Sequence, residues 1–177
     1  MYKNYKNILA AIAIFSSLFF LSGCFVADDF SKNLPAKNIE LTKYLGTWYE
    51  IARLPAWFEK DLVGVQAIYT LKSDGEIEVR NEGRIKALDG EKKTIVGRAW
   101  IPDTAQSGRL KVSFFWLVAA EYVILDIGEQ YQYVLIGSGK EYLWILSRTP
   151  QLDAATYQKL LATAAALGYD IAKIEKT

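Results

Sequence analysis

The sequence predicts an all-β domain: an eight-stranded antiparallel up-and-down β-barrel with one C-terminal α-helix packed outside it. Three observations carry this reading. Short runs rich in Val, Ile, Tyr, Phe and Trp succeed one another from residue 47 to 148, divided by turn residues. Several of them alternate polar and apolar residues, as a sheet with one wet and one dry face requires. Only one stretch, beyond Pro150, switches to helical spacing.

In chain order the runs are Thr47–Arg53, Val65–Leu71, Glu76–Asn81, Thr94–Ile101, Arg109–Trp116, Tyr122–Ile127, Tyr131–Ile136 and Tyr142–Arg148. Asp74-Gly75, Asp89-Gly90 and Gly137-Ser138-Gly139 punctuate them as hairpin turns do. Ile77 and Val79 alternate with Glu76, Glu78 and Arg80, and Leu110, Val112 and Phe114 with Arg109, Lys111 and Ser113. Eight sequential strands with short links favour closure, which removes exposed sheet edges. In the helix, Asp153 stands at the N-cap, Tyr157, Leu160, Leu161, Ala164 and Leu167 form one apolar stripe, and Gly168 follows the last turn. A short final strand is expected around Asp170–Ile174.

Composition narrows the chemistry. The 21 basic and 20 acidic residues nearly cancel, so the chain lacks the basic footprint of a nucleic-acid binder. It has no histidine, and its one cysteine is Cys24. That excludes a Ser-His-Asp triad, a Cys-His pair, the usual zinc sites and any internal disulfide. No catalytic residue, cofactor or metal ligand is assigned.

Residues 1–23 read as an export signal. Lys3 and Lys6 precede a nearly unbroken apolar run from Ile8 to Leu21, which is short for a membrane span of ~20 residues. The run ends in Leu21-Ser22-Gly23-Cys24, which resembles the bacterial lipobox. That resemblance implies lipidation of Cys24 and cleavage before it, leaving 19 basic and 20 acidic residues. Phe25, in place of an inner-membrane retention aspartate, points to the outer membrane on its periplasmic side. Residues 24–38, with Asp28, Asp29, Ser31, Lys32 and Pro35, are expected to form a polar tether ahead of the barrel domain, residues 39–177.

Two segments carry a wider resemblance. Gly46-Thr47-Trp48-Tyr49-Glu50 is similar to the Gly-x-Trp motif of lipocalins, and Trp144-Ile145-Leu146-Ser147-Arg148 to their arginine motif. The chain from Tyr44 to Ile174 resembles the bacterial branch of that family. The resemblance implies that Arg148 lies across Trp48 and closes the barrel floor, with Gly46, Trp48 and Arg148 structural. The middle motif, Tyr122 to Gly128 and Tyr131, is less well kept. Gly128 stands where an aspartate is usual, and Asp126 is a candidate substitute.

Strand parity places Ala67, Tyr69, Val79, Asn81, Ala99, Val112, Phe114, Tyr122, Ile124, Tyr133, Leu135 and Trp144 inside, as candidate ligand-binding residues. Ala67 and Ala99 are small enough to leave space between the aromatics. Trp57 and Phe58 fall in the loop after the first strand, as a portal or lid, or simply as rim packing. With Phe115, Trp116 and Leu117 they suggest a patch for membrane contact or homodimerisation. The resemblance implies a fatty acid or lysophospholipid ligand and a role in outer-membrane lipid maintenance. Glu50, on the parity of Trp48, is a buried carboxylate, best read as a structural hydrogen-bonding group near the floor. Two other classes stay open: an enzyme in a calycin-like barrel using Glu50 or Asp126, and a lipoprotein scaffold for a protein partner.

Overall fold

A computed structural model describes residues 29–115 and 118–177. The export signal, Cys24, Trp116 and Leu117 lie outside the described residues. Strands β1 (Gly46–Arg53), β2 (Leu62–Leu71), β3 (Ile77–Ile85), β4 (Lys92–Trp100), β5 (Arg109–Phe115), β6 (Val118–Ile127), β7 (Tyr133–Ser138) and β8 (Tyr142–Ser147) follow as antiparallel neighbours. β1 pairs with both β8 and β2, which closes the barrel. Around it stand α1 (Asp29–Asn33), α2 (Leu41–Tyr44), α3 (Ala154–Ala166) and a two-residue strand β9 (Glu175–Lys176).

Two apolar layers share the barrel wall. Inward side chains of every strand form one cluster, with Trp48, Ala99, Ile124 and Val134 fully buried. The outward residues Val123, Leu125, Leu135, Leu143 and Ile145 form the second, covered by Leu160 and Ala164 of α3. α3 starts where Asp153 Oδ1 accepts from Thr156 N at 2.9 Å and ends as Gly168 turns to φ +89°. The stripe expected from spacing is the stripe that packs. The last strand lies later than expected: Ile171–Lys173 make a 3₁₀ turn, and Glu175–Lys176 pair with β1.

Strand parity misplaced two residues. Tyr133 and Leu135 belong to the outer layer, whereas Val134 and Ile136 point inward. Tyr131 has a positive φ of 58°, so β7 begins only at Tyr133, out of phase with a count from Tyr131. Both faces of β7 are apolar, so its sequence carries no alternation to reveal the error. The turn before it forms without the missing aspartate: Tyr131 N donates to Gly128 O at 2.8 Å and Gly128 N to Tyr133 O at 3.0 Å. A Cβ on Gly128 would stand 2.2 Å from Gln132 Oε1, so glycine leaves the room that the Gln132 amide occupies. Asp126 faces outward and pairs with Lys159 of α3 at 3.0 Å.

The expected tether is also corrected. Residues 29–38 lie against the outside of the barrel, with Ser31 and Leu34 buried. Arg109 donates to the carbonyls of Ser31, Lys32 and Leu34, and Lys37 N donates to Ile124 O at 2.8 Å. A polar composition hid a segment whose backbone groups find partners on β5 and β6.

Two seams are short. Among the described residues β4 meets β5 only through Arg98, Ala99 and Trp100, and β1 meets β2 only from Gly46 to Tyr49. Beyond Tyr49 a bulge between Glu50 and Ala52 carries β1 away from β2, and β9 takes its free edge at Ala52 and Arg53.

Candidate functional site

The interior is built in three levels. At the floor, Trp48 is fully buried and its Nε1 donates to Tyr44 O at 2.8 Å. The Arg148 guanidinium sits 3.8 Å above the Trp48 ring centre. It donates to the carbonyls of Thr47 at 2.8 Å, Lys43 at 2.7 Å, Tyr44 at 3.1 Å and Tyr131 at 3.3 Å. One cation thus ties α2, β1, the turn before β7 and the end of β8 together. Gly46, at φ +93°, opens β1 beside it.

Above the floor three tyrosines meet. The Tyr122 hydroxyl lies 2.6 Å from that of Tyr44 and 2.8 Å from that of Tyr69. Burial pushes Tyr69 up to about 12 and Tyr44 and Tyr122 well above their ordinary value, so all three stay protonated. Ala67, Val79, Ala99, Val112 and Ile124 pack around them, with Phe114 and Trp144 half-buried against the same cluster.

The third level is ionic. The β1 bulge turns Arg53 inward beside Glu50, where strict alternation would send it out. Arg53 Nη1 donates to Glu50 Oε1 at 2.5 Å, and its Nη2 donates to Glu59 O at 3.0 Å. Glu59 comes from the 3₁₀ turn Trp57–Glu59 after β1, its carboxylate directed inward to accept from Trp144 Nε1 at 3.1 Å. All three charged residues are buried. Burial, with the Glu59 carboxylate beside it, pushes Glu50 up to about 7 despite the pairing with Arg53. Burial raises Glu59 as well.

Two buried polar atoms of the interior make no hydrogen bond: Asn81 Oδ1, and Arg53 Nε, which stands in an ion pair with Glu59 Oε2 at 3.8 Å. Ile95 shares the inward face of β4 with Gly97 and Ala99, yet it is 42 % exposed. Trp57 and Phe58 stand outside the mouth at 77 % and 47 % exposure, and Phe58 touches Tyr142 at 5.5 Å between ring centres.

Of the expected interior residues the structure gathers Ala67, Tyr69, Val79, Asn81, Ala99, Val112, Phe114, Tyr122, Ile124 and Trp144, and excludes Tyr133 and Leu135. Glu50 is joined to the mouth loop rather than to the floor. Sequence reasoning missed Arg53 and Glu59. The one available signal was charge inside two apolar stretches, Ile51-Ala52-Arg53-Leu54 and Trp57-Phe58-Glu59.

Comparison with known proteins settles the family. A lipocalin-like domain family matches residues 39–177. The chain is a lipocalin. It is 38 % identical over 152 residues to outer membrane lipoprotein Blc of Vibrio cholerae, covering 85 % of this chain and 87 % of that one. It is 34 % identical to the Blc lipoprotein of Escherichia coli K12, over 94 % of each chain. Temperature-induced lipocalin-1 of Arabidopsis thaliana is 40 % identical, over 80 % of each. Among solved structures, insecticyanin of the tobacco hornworm superimposes with a TM-score of 0.64 at 23 % identity, covering 81 % of this chain and 82 % of the other. That likeness concerns the fold. Trp48 under Arg148 forms the floor of this lipocalin's barrel.

Proposed function

We propose that this lipocalin is a lipid-anchored carrier of a single-chain lipid, held through Cys24 at the periplasmic face of the outer membrane. The names of its Blc relatives, outer membrane lipoproteins, support the anchor and the membrane. The observation that carries the ligand reading is Asn81 Oδ1, a buried acceptor on the inward face of β3 that makes no hydrogen bond, opposite Ile95 of β4, which is 42 % exposed. An acceptor left unmatched inside a protein costs about 1–3 kcal/mol, and a ligand that supplies a donor recovers that cost. The glyceryl hydroxyl of a lysophospholipid supplies one. A fatty-acid carboxylate supplies only acceptors and meets two glutamates sharing one guanidinium. The acyl chain then lies along Ala67, Phe114 and Trp144, gaining ~0.8 kcal/mol for each buried methylene.

An enzyme reading asks for two converging acids, and Glu50 and Glu59 do converge. Each is held at one oxygen, Glu50 by Arg53 and Glu59 by Trp144, so the fate of a bound lipid decides between the two readings. The test is titration of the purified, delipidated protein with lysophosphatidylcholine and with palmitate, followed by tryptophan fluorescence and by chromatography of the recovered lipid. Saturable micromolar binding of the lysophospholipid, weaker for palmitate and weakened by Asn81→Leu, is expected, with the lipid recovered intact. A folded protein that binds neither lipid refutes the carrier reading, and a cleaved lipid favours the enzyme.

A further inference from the structure

The two rims of the barrel are chemically unlike. In an up-and-down barrel alternate connections share an end, so the links after β2, β4 and β6 form one rim. Residues 72–76, 101–108 and 128–132 make those links, and they are dominated by polar and turn-forming side chains, although Leu71 at the end of β2 is 43 % exposed. The links after β1, β3 and β5 form the other rim. There Trp57, Phe58, Leu88, Phe115 and Val118 are exposed by 77, 47, 73, 66 and 62 %. Loops and strand ends remote in sequence thus gather five large apolar side chains on one end, which a water-facing surface does not require.

Residues 29–38 give that rim a direction. Their C-terminal part is fastened at the polar end, where Asn38 Nδ2 donates to Ala105 O at 3.2 Å and Ile39 N to Ser107 Oγ at 2.8 Å. Their N-terminal part is fastened near the apolar end, where Gly139 N, in the link between β7 and β8, donates to Ser31 Oγ at 2.7 Å. The chain therefore runs up the wall toward the apolar rim as it is followed back to Asp29. Cys24 stands five residues earlier, a reach of at most about 18 Å even for an extended chain.

We infer that the apolar rim docks on the phospholipid bilayer that holds the anchor, with Trp57, Phe58, Leu88, Phe115 and Val118 as its contact surface. The inference rests on the anchoring of Cys24 given under Proposed function. It also gives the short β4–β5 seam a purpose. Phe115 ends β5 at that seam and Ile95 is open beside it, so a lipid leaving the bilayer enters the barrel without exposing its chain to water. A second copy of the chain is the competing occupant of the rim.

The test uses the full-length protein, purified from bacterial membranes and reconstituted into vesicles of phosphatidylethanolamine and phosphatidylglycerol. Vesicles with brominated acyl chains, a contact quencher of tryptophan, are compared with unbrominated ones. Docking predicts quenching that is reduced in the Trp57→Phe protein. Absence of quenching, or equal quenching with Trp57→Phe, overturns it. So does a Leu88→Glu, Val118→Glu protein that keeps its quenching while a crosslinked dimer of the parent disappears, since the rim then covers a second copy. Failure of the anchor is read separately, as an unmodified Cys24 by intact mass. In that event quenching by added brominated vesicles decides the docking, its presence with reduction in Trp57→Phe supporting it and its absence overturning it.

Discussion

Replacing Glu50 by glutamine tests whether a half-neutralised ion cluster sits inside the barrel. The substitution keeps an oxygen that accepts from Arg53 and removes one titratable proton. In the unfolded chain the carboxyl titrates near 4.5, and in the folded one near 7. Below about pH 4.5 it is protonated in both states and costs nothing. As pH rises toward 7 the unfolded chain releases its proton while the folded one retains it, so stability falls, and above 7 the loss is complete. A gap of this size corresponds to on the order of 3 kcal/mol. Glu59 shares the guanidinium and takes up part of the change, so the swing expected in practice is roughly 1–3 kcal/mol. The assay is urea unfolding of the parent and the Glu50→Gln protein from about pH 5 to about pH 8. The variant is expected to match the parent at the acid end and to gain on it steadily as pH rises. A difference that is constant with pH, or that grows in the parent's favour, refutes the assignment.

Arg148→Lys keeps the charge but cannot reach four carbonyls and stack on Trp48, so about 2–4 kcal/mol of stability should be lost in denaturant titration. A loss below about 0.5 kcal/mol would mean that the floor is held by packing alone. Tyr122→Phe removes the shared partner of the Tyr44 and Tyr69 hydroxyls and should cost about 1–3 kcal/mol, detectable as a lower urea midpoint at unchanged slope. Asp153→Ala deletes the cap of α3 and should cost about 1 kcal/mol, read as a lower Tm.

The floor was legible through the family resemblance, since Gly46, Trp48 and Arg148 stand where the lipocalin motifs place them at the two ends of the run of strands. Strands with one wet face were legible too, as β3 and β5 show, since their alternation has a sign. β7 was not, because it is buried on both faces, and a positive φ at Tyr131 shifts its phase where no glycine marks the spot. The upper halves of several strands were missed for another reason. Glu82 to Arg84 and Lys92 to Lys93 pair as strand although their residues are charged, since the ladder there is held by backbone hydrogen bonds and faces water. Arg53 was hidden by the bulge that turns it inward, and Glu59 by a loop that folds back over the mouth. Both depend on contacts between segments, which no periodicity within one segment can display.

The two short seams have a mechanical meaning. Below the level of Glu50 the barrel is a continuous ring, but among the described residues above it β2 and β4 have no backbone pairing with β1 and β5, and the Arg53 side chain reaches Leu62 O across the first gap at 3.5 Å. The upper wall is therefore a three-stranded flap hinged at the waist of a rigid cup. Such a container adjusts its bore by bending one wall and needs no repacking of the floor. On the carrier function proposed above, its tolerance for ligands of different girth is set by the stiffness of that hinge, and amide exchange in Val63 to Val65 and Lys93 to Ile95 should respond to added lysophospholipid before any amide near Trp48 does.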